Sequence, residues 1–171
     1  RKIHDDIVSR CLLENDIVLG TALINMYAKC GDIAKAQQVL EELHIRDVVA
    51  WNALISGYAQ QGQGQEAMVC FGLMQYEGIC PNQVTFTSIL NSCGHSGLLE
   101  EAQVYFWHVE NELGVSLNLQ HYTCMVDIYS SLGLFDKALL VLKMMPSSDY
   151  SAVWFALLNS CRKWGNVKLA N

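Results

Sequence analysis

The chain has 171 residues, 51% of them hydrophobic and 16% charged, with a formal net charge of −6. That length and apolar content suit one domain with a sizeable core, and 2 prolines with no low-complexity run leave no linker to divide it. The acidic balance lacks the basic footprint of a protein held to nucleic acid mainly by charge, and no apolar run reaches the roughly 18 residues of a membrane span.

In chain order, "RKIHDDIVSR" (1–10) carries acids and no apolar leader, so it is neither signal nor transit peptide. A helix is expected over about 2–13, the second half of a preceding unit. Next, "ALINMYAKCGDIAKA" (22–36) joins two amphipathic runs through a glycine, predicting helices over 18–29 and 33–43. The phrase returns as "ALISGYAQQGQGQEA" (53–67), with helices over 49–60 and 64–76. Trp51, Leu54, Ile55 and Tyr58 recur there at i, i+3, i+4, i+7, one face of a helix. Ala67, Val69, Cys70, Phe71 and Met74 mark its partner, and "EGICPN" ends it, since Pro81 cannot continue a helix. Further pairs follow over 83–94 with 98–112 and 119–131 with 134–144, and another helix starts at Val153.

Five glycines hold these copies in phase: Gly31, Gly62, Gly97, Gly133 and Gly165, spaced by 31, 35, 36 and 32 residues. Each suits a helix C-terminus that needs positive φ. Five positions after each stands an alanine (Ala36, Ala67, Ala102, Ala138, Ala170), small enough for paired helices to cross closely. A hairpin of this size cannot bury its apolar face alone, and stacking on neighbours yields an all-α solenoid. Because the array starts and stops within a unit, the chain reads as a segment of a longer protein.

The seven cysteines (Cys11, Cys30, Cys70, Cys80, Cys93, Cys124, Cys161) are odd in number, form no CxxC pair and sit mostly in apolar segments. Buried, reduced thiols are expected rather than a disulfide framework. No catalytic or metal constellation emerges. His108 and Glu110 match the H-x-E half of a zinc deaminase without its P-C-x-x-C partner, and Cys93 with His95 offers only two ligands. His121 and Asp127 lack a nucleophile, and no phosphate loop or GxSxG is present. Trp51, Tyr58, Tyr122 and Trp154 fall at repeat landmarks and are expected in the core. No enzyme, cofactor or metal is expected.

The unit "DVVAWNALISGYAQQGQGQEAMVCFGLMQYEGICPN" resembles a pentatricopeptide repeat, the helical hairpin of organellar RNA-binding proteins. The alternating unit lengths are similar to the land-plant subclass in which long, short and standard motifs alternate. The tetratricopeptide repeat fits less well, its W-x2-L-G-x2-Y phrase being absent. The resemblance implies a right-handed α-solenoid of stacked helix-turn-helix repeats. It divides the chain into the end of a long motif (1–16), a short motif (17–47), a standard motif (48–82), a long motif (83–118), a final short motif (119–150) and the opening of a C-terminal extension (151–171).

The resemblance further implies single-stranded RNA as partner, one base per repeat. In the family the fifth and last residues of each motif contact the base edge: Thr21 with Asp47, Asn52 with Asn82, Thr87 with Asn118, and Thr123 with Asp149 or Tyr150. The second residue sandwiches the base, here Val18, Val49 and Val84, with Gln120 in the last motif. By the family's code Thr21/Asp47 favours guanine, and Asn52/Asn82 favours cytosine over uracil. The implied role is an adaptor in organellar RNA processing or C-to-U editing, in mitochondrion or chloroplast. Two features count against strong binding by charge. No Lys or Arg stands between Arg46 and Lys137, where nine acids do, and the best basic patch is Arg162, Lys163 and Lys168. Thr and Asn also suit helix N-termini. The alternative is a protein–protein scaffold, docking partners through the solenoid surface or self-associating through unpaired end helices.

Overall fold

A computed structural model describes residues 16–145 and 151–165. The described residues form nine helices and no strand: α1 (Ile17–Lys29), α2 (Ile33–Glu42), α3 (Val48–Gln60), α4 (Gly64–Tyr76), α5 (Gln83–Ser96), α6 (Leu99–Leu113), α7 (Leu119–Ser131), α8 (Phe135–Met144) and α9 (Ser151–Trp164). The helix expected at 2–13, Ala170 and Lys168 lie outside the described residues.

Each hairpin closes by the same local chemistry. Gly31, Gly62, Gly97 and Gly133 take φ of 83°, 68°, 70° and 73°, where a Cβ would be strained. The next residue then donates its N–H to the carbonyl five back: Asp32 to Tyr27 (3.0 Å), Gln63 to Tyr58 (3.0 Å), Leu98 to Cys93 (2.9 Å) and Leu134 to Tyr129 (2.8 Å). These bonds satisfy carbonyls that a helix end would leave open, and they reverse the chain in a fixed geometry. The alanines at the crossings, Ala36, Ala67, Ala102 and Ala138, are fully buried.

The first helices α1, α3, α5, α7 and α9 stack in succession into one layer. The second helices α2, α4 and α6 each pack against their own first helix and lean on the next one. A single apolar cluster runs through the array, with Ile24, Leu54, Phe71, Phe86, Phe106 and Met125 fully enclosed. Edge-on ring contacts join neighbouring repeats, Phe71 with Tyr105 at 5.5 Å and Phe106 with Tyr122 at 5.4 Å. Gly57 admits a close approach between repeats, since a Cβ there would lie 2.7 Å from both Ala28 Cβ and Ile33 Cδ1.

Polar bonds set the stacking register. The Ser56 and Ser88 hydroxyls meet at 2.8 Å between α3 and α5. Ser96 Oγ donates to Gly62 O (2.8 Å) and accepts from Gly64 N (2.9 Å). Arg46 pairs with Glu77, whose other oxygen accepts from Trp51 Nε1 at 3.3 Å. His95 contacts Ala59 O through Nδ1 (3.0 Å), so it ties two repeats together rather than pairing with Cys93.

Two expectations about burial are corrected, and one apolar marker of a helix faces solvent. Val69 is 60% exposed, because α4 buries Ala67, Cys70, Phe71 and Met74 and turns Val69 outward. Trp154 is 46% exposed on α9, whose buried side is Val153, Leu157 and Cys161. Cys30 and Cys80 are exposed, whereas Cys70, Cys93 and Cys161 are buried and Cys124 is half-buried.

Candidate nucleic-acid interface

The residue closing one unit caps the first helix of the next. Asp47 accepts from Val49 N (3.0 Å) and Ala50 N (2.9 Å) at the start of α3. Asn82 accepts from Val84 N (3.0 Å) and Thr85 N (3.1 Å) at the start of α5. Asn118 accepts from Gln120 N (3.0 Å) and His121 N (3.2 Å) at the start of α7. Each such cap is worth about 1 kcal/mol, so these residues have a structural duty whatever else they touch. The cap also places the last residue of a unit beside the second and fifth residues of the neighbouring first helices.

At the second position Val18, Val49 and Val84 are 74%, 55% and 57% exposed. Packing does not require an apolar, β-branched side chain at an exposed site, and here one recurs in register in three successive units. The fourth has the exposed Gln120. Between the last two of these units a cleft of about 360 Å³ is lined by Val84, Thr87, Ser88, Asn91, Asn118 and Gln120. It thus brings together the second, fifth and last residues of one unit with the second residue of the next.

The fifth positions differ in their bonding. Asn52 is buried, donates Nδ2 to Asn82 Oδ1 (3.2 Å) and accepts from Thr85 Oγ1 (2.6 Å). Thr87 and Thr123 donate their hydroxyls back to Gln83 O and Leu119 O, both at 2.9 Å, leaving their oxygens as acceptors. Thr21 is half-buried, and among the described residues no hydrogen bond joins it to Asp47. Asn118 Nδ2 donates to Gln83 Oε1 at 3.2 Å. Asp149 and Tyr150 lie outside the described residues.

Two participants, Thr85 and His121, were not anticipated from the sequence. Both stand at the third helical position and complete capping boxes: Asn82 N donates to Thr85 Oγ1 (3.0 Å) and Asn118 N to His121 Nδ1 (3.1 Å). The spacings N-x-x-T at 82–85 and N-x-x-H at 118–121 were the available signal. His121 is fully buried, 4.9 Å from the Phe86 ring, with Nε2 3.0 Å from Gln83 O. A backbone N–H can only donate, so Nδ1 is bare and Nε2 carries the proton that Gln83 O accepts. Burial lowers the pKa of this ring, the Gln83 contact partly opposing it.

The face is poor in cations. From 47 to 136 the sequence has no Lys or Arg, and adjacent Arg46 is engaged by Glu77, Leu40 O and Glu41 O. Arg162 and Lys163 lie exposed in the last turn of α9. His108 is in mid-helix, its Nδ1 2.8 Å from Val104 O. Among the described residues no three His, Cys, Asp or Glu side chains gather as metal ligands, and no helix is long and apolar enough to cross a membrane.

Comparison with known proteins accounts for this repeating arrangement. The pattern of the PPR repeat matches residues 21–48, 84–110 and 120–150, and that of the PPR repeat family matches 46–95. A pentatricopeptide repeat-containing protein of Arabidopsis thaliana is 40% identical over 95% of this chain, which covers 26% of that protein. Another from the same plant, named as mitochondrial, is 38% identical over 91% of this chain and 24% of its own length. The chain therefore spans about a quarter of these relatives. Among solved structures, the pentatricopeptide repeat protein PPR10 from maize superimposes with TM-score 0.78 at 22% identity, over 98% of this chain and 25% of that one. The pentatricopeptide repeat domain of Arabidopsis thaliana protein-only RNase P 1, in complex with tRNA, gives TM-score 0.67 at 20% identity over 86% and 81%. These two likenesses show the all-α solenoid fold.

Proposed function

As the chain belongs to the pentatricopeptide repeat family, we propose that it is a single-stranded RNA adaptor reading one base per repeat. Thr21/Asp47, Asn52/Asn82, Thr87/Asn118 and Thr123/Asp149 supply the edge contacts, and Val18, Val49 and Val84 supply flat apolar surfaces against the bases of the first three motifs, with Gln120 in their place in the last. The observation that carries this reading is the row of exposed valines in register, together with the cleft that sets Thr87 and Asn118 between Val84 and Gln120. Structures of maize PPR10 with an 18-nt psaJ RNA element and of the RNase P domain with tRNA support RNA as the ligand class. Mitochondrial names among the relatives support an organellar site of action, in processing or editing of transcripts.

The mechanism is binding and recruitment, not catalysis. Short polar side chains meet Watson–Crick edges, each good match being worth about 1–3 kcal/mol by analogy with base-edge readout in DNA. Phosphate neutralisation contributes little, because the middle repeats bear no cation. Affinity should therefore depend on salt less steeply than for a basic groove. The test is a gel-shift series with short RNAs at low and moderate salt, in wild type and Asn52→Thr. A changed preference at one nucleotide is expected, and an unchanged preference at every nucleotide refutes the assignment of that repeat.

A second reading, a protein-docking scaffold, is favoured by one specific observation. The second helices expose Val69, Leu73, Tyr76, Val104 and Trp107, and a cleft of about 510 Å³ between α4 and α6 has Glu100 and Glu101 along its lining. Absence of binding to any RNA in the same series would leave this reading standing.

A further inference from the structure

The polarity of the Asn52–Asn82 pair is dictated by main-chain groups. Val84 N and Thr85 N can only donate, and both point at one atom of the Asn82 side chain, which must be Oδ1. That oxygen lies 3.2 Å from the Asn52 amide, so the nearer Asn52 atom must be the donor Nδ2. Asn52 Oδ1 is thereby turned the other way and needs a donor of its own. Thr85 Oγ1 is 2.6 Å from it. The hydroxyl is free to donate there because its lone pair already accepts from Asn82 N at 3.0 Å. The same hydroxyl also lies 3.2 Å from Asn82 Oδ1, but that oxygen already accepts from three N–H groups, so its proton goes to the nearer Asn52 Oδ1 and Thr85 holds the far end.

The hydrogen-bonding capacity left over is dominated by N–H. Asn82 Oδ1 is saturated, Asn52 Oδ1 is engaged by Thr85, and what remains is Asn82 Nδ2 with the second proton of Asn52 Nδ2. Donors meet acceptors, and the pyrimidine edge of cytosine offers two side by side, N3 and O2. Uracil presents N3–H in the same place, donor against donor. Without the Thr85 bond the Asn52 amide is held only through its longer 3.2 Å contact to Asn82, and an amide that swings out of that contact turns Oδ1 to the uracil N3–H.

We infer that Thr85 is a positioning residue that locks the Asn52 amide donor-outward and so holds this repeat to cytosine over uracil. The inference rests on the RNA reading above. The lock is particular to this repeat. The equivalent residue in the preceding unit is Ala50, which has no side-chain hydrogen bond to offer. In the following unit it is His121, which turns its second nitrogen to Gln83 O rather than to Thr87.

The test is selection from a random single-stranded RNA pool by the intact protein, comparing wild type, Thr85→Val and Thr85→Ser. Wild type and T85S should enrich cytosine over uracil at one position. T85V should lower that ratio about five-fold or more, with enrichment at neighbouring positions retained. An unchanged ratio in T85V, or an equal loss at all positions, overturns the inference. A wild-type pool with no position favouring pyrimidine is a different failure, removing the base-reading role of Asn52/Asn82 and the inference with it. Hydrogen exchange measured by NMR on the RNA-free wild type is independent of both RNA and any folding defect in T85V. A Thr85 hydroxyl proton exchanging as fast as that of an exposed threonine overturns the lock whatever the selection gives.

Discussion

Replacing His121 by Leu should destabilise the array and remove a pH-dependent part of its stability. The ring is fully buried and bridges Asn118 N, 3.1 Å away, to Gln83 O at 3.0 Å. Leucine fills much of the space against Phe86 but leaves the Asn118 N–H without its acceptor and removes one of the donors to Gln83 O, which keeps Thr87 Oγ1 at 2.9 Å. At about 1–3 kcal/mol for the abandoned N–H and about 1 kcal/mol for the lost bond to Gln83 O, the loss is about 2–4 kcal/mol. For a chain of this length that lowers the melting temperature by roughly 5–15 °C. The histidine pKa is lowered in the folded state, chiefly by burial, so the folded protein prefers the neutral ring. Below the unfolded pKa of about 6.5 the unfolded chain binds more protons, and stability falls as pH falls. The contribution is fully present above that pH and is lost on acidification towards the folded-state pKa. Protonation would also set an Nδ1–H against the Asn118 N–H. Urea unfolding followed by circular dichroism at several pH values between about 5.5 and 8 measures this directly. Subtracting the H121L profile isolates this ring from the other histidines. The reasoning is refuted if wild type and H121L lose stability with the same slope, or if wild type gains stability on acidification.

Two further outcomes are expected from packing and burial. Gly57→Ala should cost about 1 kcal/mol or more net despite its better helix propensity, because the new Cβ would press within 2.7 Å of Ala28 and Ile33. Gly72→Ala, also within a helix but with nothing within 4 Å, should stabilise by about 0.5–1 kcal/mol. Opposite signs in thermal denaturation check the pair, and equal shifts would contradict it. With iodoacetamide at pH 8, the exposed Cys30 and Cys80 should label first. Cys70 and Cys93 should wait for unfolding, since burial closes access and pushes their thiols up to about 11 and about 12. Mass-spectrometric mapping of the sites decides, and Cys93 labelling as fast as Cys30 would be the contrary result.

Architecture was legible in the sequence because it is built from local, repeated chemistry. The positive-φ glycine after each first helix, the crossing alanine, and the one-face spacing of Trp51, Leu54, Ile55 and Tyr58 each depend on a few neighbouring residues, and every copy confirms the others. The caps were legible for the same reason: an Asp or Asn before an apolar run satisfies its own helix.

What only the tertiary structure decided is which side of each helix neighbouring repeats cover, and how side chains bond between units. Val69 and Trp154 satisfy the apolar pattern of their own helices yet face outward, because coverage depends on helices tens of residues away. The Asn52–Thr85 bond spans 33 residues, so no local pattern could reveal that Asn82, Asn52 and Thr85 share one polarity. Sequence determined the repeating unit and where its polar residues stand. Stacking determined which of their atoms remain unclaimed, because a hydrogen-bond donor left over is a property of two repeats in contact and not of either alone.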